Sequence, residues 1–176
     1  MTLLTGEDLS RLFRTFEHTA FRLEPRDSYY SPNEQEALRK FVAGEPDDLA
    51  WFQNWLNMIR AASAEGRRFM RVRVVTMPLT DYSRFGLWCS QHTNAAGEDI
   101  RYLPRDQAEA RGLPDYDFWL FDSRKLARLY FDEDRFLGIE VSEDPAVVVQ
   151  HCYWRDAAWH HAIERDTFAN WVERRP

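Results

Sequence analysis

Residues 68–75 read "RFMRVRVV", and their alternation decides the fold. Strand periodicity puts Met70, Val72 and Val74 on one face and Phe69, Arg71, Arg73 and Val75 on the other. A strand in the middle of a parallel sheet buries both faces beneath helices. If this strand is central, Arg71 and Arg73 must meet acids or face a cleft, because an unpaired buried charge is costly. Glu98, Asp117 and Glu140 are suitable acids. An ion-paired layer beneath the helices is the favoured arrangement, and an anion or ligand pocket is the competing one.

Downstream of a break at Pro78, residues 79–96 read as a helix with Gly97 beyond its end. "DIRYL" is a short strand, and "PRDQAEARGLP" a loop with one helical turn. "DFWLF", "KLARLYF" and "RFLGIEV" are three strands, the last two forming a hairpin across residues 132–134. Asp144-Pro145 opens a helix reaching about residue 164, and Asp166 is expected to cap a last short one.

The first 66 residues read as mostly helical. Thr5 and Asp8 form a short-armed capping box for a helix through about Phe16. Ser31-Pro32 starts a second helix that ends at Gly44. Asp47 or Asp48 starts a third, which stops at Gly66. Between the first two helices, "AFRLEPRDSYY" is extended, since Pro25 restricts Glu24. The fold class is therefore α/β of the mixed α+β kind: a mixed sheet flanked by helices, with an N-terminal helical region. The strand-helix-strand beginning at residue 68 suits a right-handed parallel crossover. The chain divides into a helical region, 1–66, and a mixed α/β domain, 67–176, together forming one compact unit.

Composition narrows the function. Of 176 residues 44% are hydrophobic and 30% charged, which is a globular balance. Aromatics reach 15%, with seven Trp, more than a core of this size needs, so some should line a groove or an interface. The formal charge of −6 argues against contact with a phosphate backbone. Cys89 and Cys152 lie outside any CxxC motif, and no apolar run approaches the roughly 20 residues of a bilayer span. A cytoplasmic protein without membrane or direct nucleic-acid contact is expected.

The stretch "DYDFWLFDSRKLARLYFD", residues 115–132, concentrates acids and aromatics. Alternation puts Asp117, Trp119 and Phe121 on one strand face and Asp122 on the other, at the opposite end. A glycosidase-like pair needs two carboxylates converging from roughly 5 to 10 Å. This strand cannot supply one. Turn formation and end-capping suit the aspartates better, though Asp117 is placed to reach a base such as Arg73 or Arg101. In the helix after Pro78, Asp81, Arg84 and Trp88 share one face, and Tyr82 and Phe85 another.

Cys89 and His92 stand at i and i+3 without further ligands, and the adjacent His160 and His161 diverge on a helix. There is no G-x-S-x-G, G-x-G-x-x-G or P-loop. No catalytic residue, metal site or cofactor is assigned. The candidate ligand face carries Arg71, Arg73, Tyr82, Arg84, Arg101, Asp117 and Trp119.

"RVRVVTMPLTDYSRF", "AAGEDIRYLPR" and "YDFWLFDSRKLARLYFD", followed by "EVSEDPAVV" and a tryptophan-bearing terminal helix, resemble an actinobacterial family of unknown function. Upstream, "FRLEPRDSYYSPNEQEALRKFVAGEP" fits it too, so the resemblance covers nearly the whole chain. Members are often encoded beside helix-turn-helix regulators, which implies a regulatory setting. More distantly, the element order of residues 67–164 resembles one half of a phospholipase D-like fold. The enzymes of that class need H-x-K-x4-D, and none of His18, His92, His151, His160 and His161 is followed two residues later by Lys. The resemblance implies a non-enzymatic interaction module for a helix-turn-helix regulator, sensing a small ligand. An enzyme with an Arg/Asp/Tyr pocket is the alternative, and a homodimer built on exposed Trp and Tyr a third arrangement.

Overall fold

Residues 68–75 form the strand that their alternation predicts, one position from the centre of a seven-stranded sheet. The computed structural model describes residues 3–174. Its strands are β1 (Thr19–Glu24), β2 (Arg68–Val75), β3 (Asp99–Pro104), β4 (Phe118–Phe121), β5 (Lys125–Asp132), β6 (Arg135–Ser142) and β7 (Ile163–Glu164). They lie in the order β6-β5-β4-β1-β2-β3-β7. β1, β2 and β3 are parallel, whereas β4, β5, β6 and β7 join as antiparallel neighbours. This is a mixed sheet flanked by helices, as expected.

The helices are α1 (Gly6–Thr15), α2 (Gln35–Ala43), α3 (Gln53–Ala64), α4 (Asp81–Ala96), α5 (Arg105–Ala110), α6 (Pro145–His161) and α7 (Arg165–Glu173). Their ends follow local chemistry. The Asp8 carboxylate accepts the Thr5 N–H at 2.9 Å, completing the capping box of α1. Thr80 caps α4, Asp144 caps α6, and Gly44 and Gly97 end α2 and α4 in left-handed backbone.

Alternation sorts the side chains into two layers. Ala20, Phe69, Trp119 and Phe121 pack with Phe13 and Phe16 from the α1 region and with Leu56, Ile59 and Ala62 of α3. Phe21, Leu23, Val72, Val74, Phe118 and Leu120 meet Ala108 of α5 and Val148 and Ala158 of α6 on the other face. Phe168 of α7 stacks on Tyr102 of β3 at 4.7 Å, on the face shared by α4.

Two sequence expectations change. The region 1–66 is not helical cover alone, because its extended segment supplies β1, the middle strand of the sheet. Asp166 does not cap α7; it lies in the first turn, where Arg165 donates to it at 2.8 Å. Trp159 of α6 packs against Phe21 and beneath Arg101 on the α6 face.

Asp122 explains how β1 is held. With Ser123 it takes left-handed backbone, φ 55° and 52°, to turn β4 into β5. Its carboxylate then accepts the N–H groups of Glu17, His18 and Thr19 at 2.9, 2.7 and 3.0 Å. The turn-forming role read from the sequence is correct, and it clamps the entry to the central strand.

Candidate functional site

Strand register builds the site. Across β4, β1, β2 and β3, the pairs Trp119–Arg22, Arg22–Arg71 and Arg71–Ile100 align one row of side chains on a single face. The next row runs Glu24–Arg73–Tyr102. Two neighbouring rows thus place three arginines around one glutamate.

Glu24 is the hub. Arg73 Nη2 and Arg71 Nη1 each lie 2.6 Å from its carboxylate, and Arg22 Nε lies 3.5 Å away. Arg22 also donates to Asp117 at 2.7 Å, and Arg71 to Glu98 at 3.0 Å. Burial alone would raise the Glu24 pKa, but Arg22, Arg73 and Arg71 outweigh it and hold the carboxyl well below the usual carboxylate range. Burial likewise opposes charge on Arg22, and Glu24 and Asp117 override it. Such a layer costs desolvation, which the ion pairs offset in part, since Arg22 Nε, Glu98 Oε2 and Asp117 Oδ2 stay buried without a hydrogen-bond partner.

Gly86 admits one of these guanidiniums. A Cβ there would overlap Arg73 Nη1 and lie 2.7 Å from Cζ. Glycine within a helix costs about 1 kcal/mol relative to alanine, and here it leaves room for a buried cation.

Above the layer is an open cavity of about 430 Å³, lined from α1, α3, α4, residues 29–34 and the β5–β6 hairpin. Its floor carries Arg22, Glu24, Arg71 and Arg73, and its walls are mainly aromatic, with Trp51, Trp55, Phe85 and Trp119 prominent. The size suits a small-molecule site. The Arg71 guanidinium lies over Trp55 and Trp119 at 5.8 and 5.6 Å, so floor and wall also interact through cation–π contacts. Tyr29 donates to Asp117 at 2.8 Å, and Tyr82 to Glu34 at 3.0 Å. Burial raises the Glu34 pKa against the hydrogen bond from Tyr82, and it also raises the phenols of Tyr29 and Tyr82. Burial pushes the Cys89 thiol in the wall up to about 12.

Four of the residues read from the sequence converge on this cavity: Arg71, Arg73, Tyr82 and Trp119. Asp117 stands behind the floor, and its base is Arg22 rather than Arg73 or Arg101. Arg84 is exposed and lines no part of the cavity. Arg101 pairs with Val72 in register, so it occupies the opposite sheet face, bound to Asp99 at 3.1 Å and 3.9 Å above Trp159. Of the acids suggested for Arg71 and Arg73, Glu98 takes Arg71, whereas Glu140 accepts from Tyr130 instead. Arg71 and Arg73 are both paired and cavity-facing, so the two sequence alternatives coexist.

The residues missed are Arg22, Glu24, Tyr29, Glu34, Trp51 and Trp55. The alternation Phe21, Leu23 against Arg22, Glu24 was a usable signal for a strand, though it is brief and ends at Pro25.

Among the described residues, no three His, Cys, Asp or Glu side chains are grouped to hold a metal, and no helix is long and apolar enough to cross a membrane. No curated protein matches the chain. A family model described as a domain of unknown function (DUF6879) matches residues 7–170, which includes the whole arginine layer and the cavity around it. The chain belongs to the DUF6879 family.

Proposed function

We propose that this chain is a non-enzymatic, ligand-responsive regulatory module that acts in the cytoplasm with a helix-turn-helix transcriptional regulator. The cavity over the arginine layer carries the ligand-binding part of this reading. Its chemistry favours binding over catalysis. The Cys89 thiol is too basic to supply a thiolate, the Tyr29 and Tyr82 phenols are raised, and the arginines are held by acids.

The partner half rests on the family resemblance and on charge. A net charge of −6 suits a protein that contacts a DNA-binding partner rather than DNA. Val149 and Tyr153, one turn apart on α6 and 67% and 64% exposed, offer an apolar contact patch. Kinship with half of a phospholipase D-like fold is part of the same proposal; its support is the β2–α4–β3 unit followed by the β5–β6 hairpin.

One observation favours an enzyme as the second reading. Glu34 faces the cavity with a raised pKa and a phenol donor, an arrangement suited to a general acid.

Co-purification with a helix-turn-helix regulator encoded beside the gene tests the proposal. Binding at micromolar concentration, altered by small molecules that raise the melting temperature of this chain, is the expected result. A clean failure to bind at that concentration sinks the regulatory reading. Turnover of a cavity ligand, abolished in Glu34→Gln, replaces it with the enzymatic one.

A further inference from the structure

We infer that the cavity takes a flat aromatic molecule bearing one anionic group, with the anion seated on Arg73 and the ring among the tryptophans. This rests on the ligand-binding reading above and specifies its chemistry.

The charge argument comes from which atoms are accessible. The side chains of Arg22, Arg71 and Arg73 are 15%, 13% and 12% exposed, whereas Glu24 is 4% exposed and Asp117 and Glu98 are fully covered. Of the acids that balance the layer, Asp117 and Glu98 lie outside the cavity lining, and Glu24 is nearly covered by its three guanidiniums. The remaining carboxyl of the lining, Glu34, accepts the Tyr82 hydroxyl and has a raised pKa, so the guanidiniums are the charged donors left to meet a ligand. At short range such donors select anions.

Arg73 is the arginine best able to bind one. Arg22 and Arg71 each engage two carboxylates, whereas Arg73 engages one, Glu24, together with the Tyr102 hydroxyl. A guanidinium has five N–H donors in a planar fork that matches a carboxylate. Gly86 holds that fork close to α4, because any larger residue would displace it. The fork therefore keeps donors beyond Glu24 and Tyr102, in space that Gly86 leaves open.

The walls specify a flat ring. Trp51 stacks on Phe85 with an interplanar angle of 27°, and Phe85 on Trp88 at 25°. These near-parallel planes form a slab on one side of the cavity, and Trp55 and Trp119 close another. Phe52 continues the stack from Trp51 at 19° and also lines the cavity, so a planar ligand extends the stack at that end. Aromatic walls also suit an ammonium ion, but an ammonium cannot accept the guanidinium N–H donors of the floor.

Titration calorimetry of the full chain with 2-naphthoate, 2-naphthamide and 2-naphthylmethylammonium separates the alternatives. Naphthoate is expected to bind about tenfold or more tightly than the amide, the worth of one charge-assisted contact, and the ammonium probe weakest. In Arg73→Gln, naphthoate affinity falls to that of the amide, with the fold checked by near-ultraviolet circular dichroism. If Arg73→Gln does not fold, the ranking of the three probes on the wild-type chain decides. Amide or ammonium binding as tight as naphthoate overturns the anionic class but leaves a working cavity. Failure of all three probes to bind overturns the cavity reading as well.

Discussion

The guanidinium of Arg73 occupies the space that a side chain at Gly86 would fill, so an interior glycine of α4 and a buried arginine of β2 form one structural unit. The arginine can reach Glu24 at 2.6 Å from the edge of the cavity because the helix leaves that gap.

Gly86→Ala should therefore run against the usual trend. In an ordinary helix interior this change stabilises by about 1 kcal/mol. Here the added methyl displaces a buried, ion-paired guanidinium, and a net loss of about 1–3 kcal/mol is expected. Urea denaturation checks the sign. A stabilised Gly86→Ala would show that Arg73 has room elsewhere.

Removing the hub is a larger change. Glu24→Gln leaves three guanidiniums sharing only Asp117 and Glu98, and Arg73 loses its acid altogether. A loss of about 3–5 kcal/mol follows from breaking a buried pair on one side. A chain that keeps its wild-type denaturation midpoint after this substitution would place the stabilising energy outside the arginine layer.

The layer also sets a pH signature. Glu24 has a depressed pKa in the folded chain, so its stabilisation is fully present above the unfolded value near ~4.3 and is lost as pH falls through the folded value. Asp122, held down by the backbone N–H groups it receives against the effect of burial, adds to the same acid loss. Glu34 has the opposite sign, because its raised pKa makes ionisation unfavourable in the fold. The gap between wild type and Glu24→Gln should narrow below about pH 4, whereas the benefit of Glu34→Gln should grow as pH rises above the usual glutamate range. Thermal melts of the three chains from acid to neutral pH measure both trends. A gap that does not change with pH would show that Glu24 is not stabilised by its charge.

Residues 67–176 alone should not fold cooperatively, because β1 and its contribution to the arginine layer lie outside them. Adding a peptide that spans residues 1–66 should restore the melt of the intact chain. A fragment with its own sharp unfolding transition would make β1 an accessory rather than the centre of the sheet.

Much of the fold was legible because it is written in short-range patterns. The faces of β2 and the end signals at Thr5, Gly44, Gly97 and Asp144 need only local sterics and hydrogen bonding. β1 was harder, since four alternating residues before a proline are a faint strand signal. The site was half legible for a related reason. Arg71 and Arg101 look alike in the sequence, and only the pairing of Val72 with Arg101 sends them to opposite faces. Glu24 becomes a hub through its register with Arg73, a long-range fact that no local pattern contains.

The central claim is that the space above the arginine layer is a small-molecule site. A crystal structure of the chain grown with saturating 2-naphthoate tests it most directly. The ring is expected against Phe52 and Trp55, with its carboxylate about 3 Å from the Arg73 guanidinium, an ordinary charge-assisted distance. A cavity closed over by its own side chains, or naphthoate bound only on the outer surface, would contradict it.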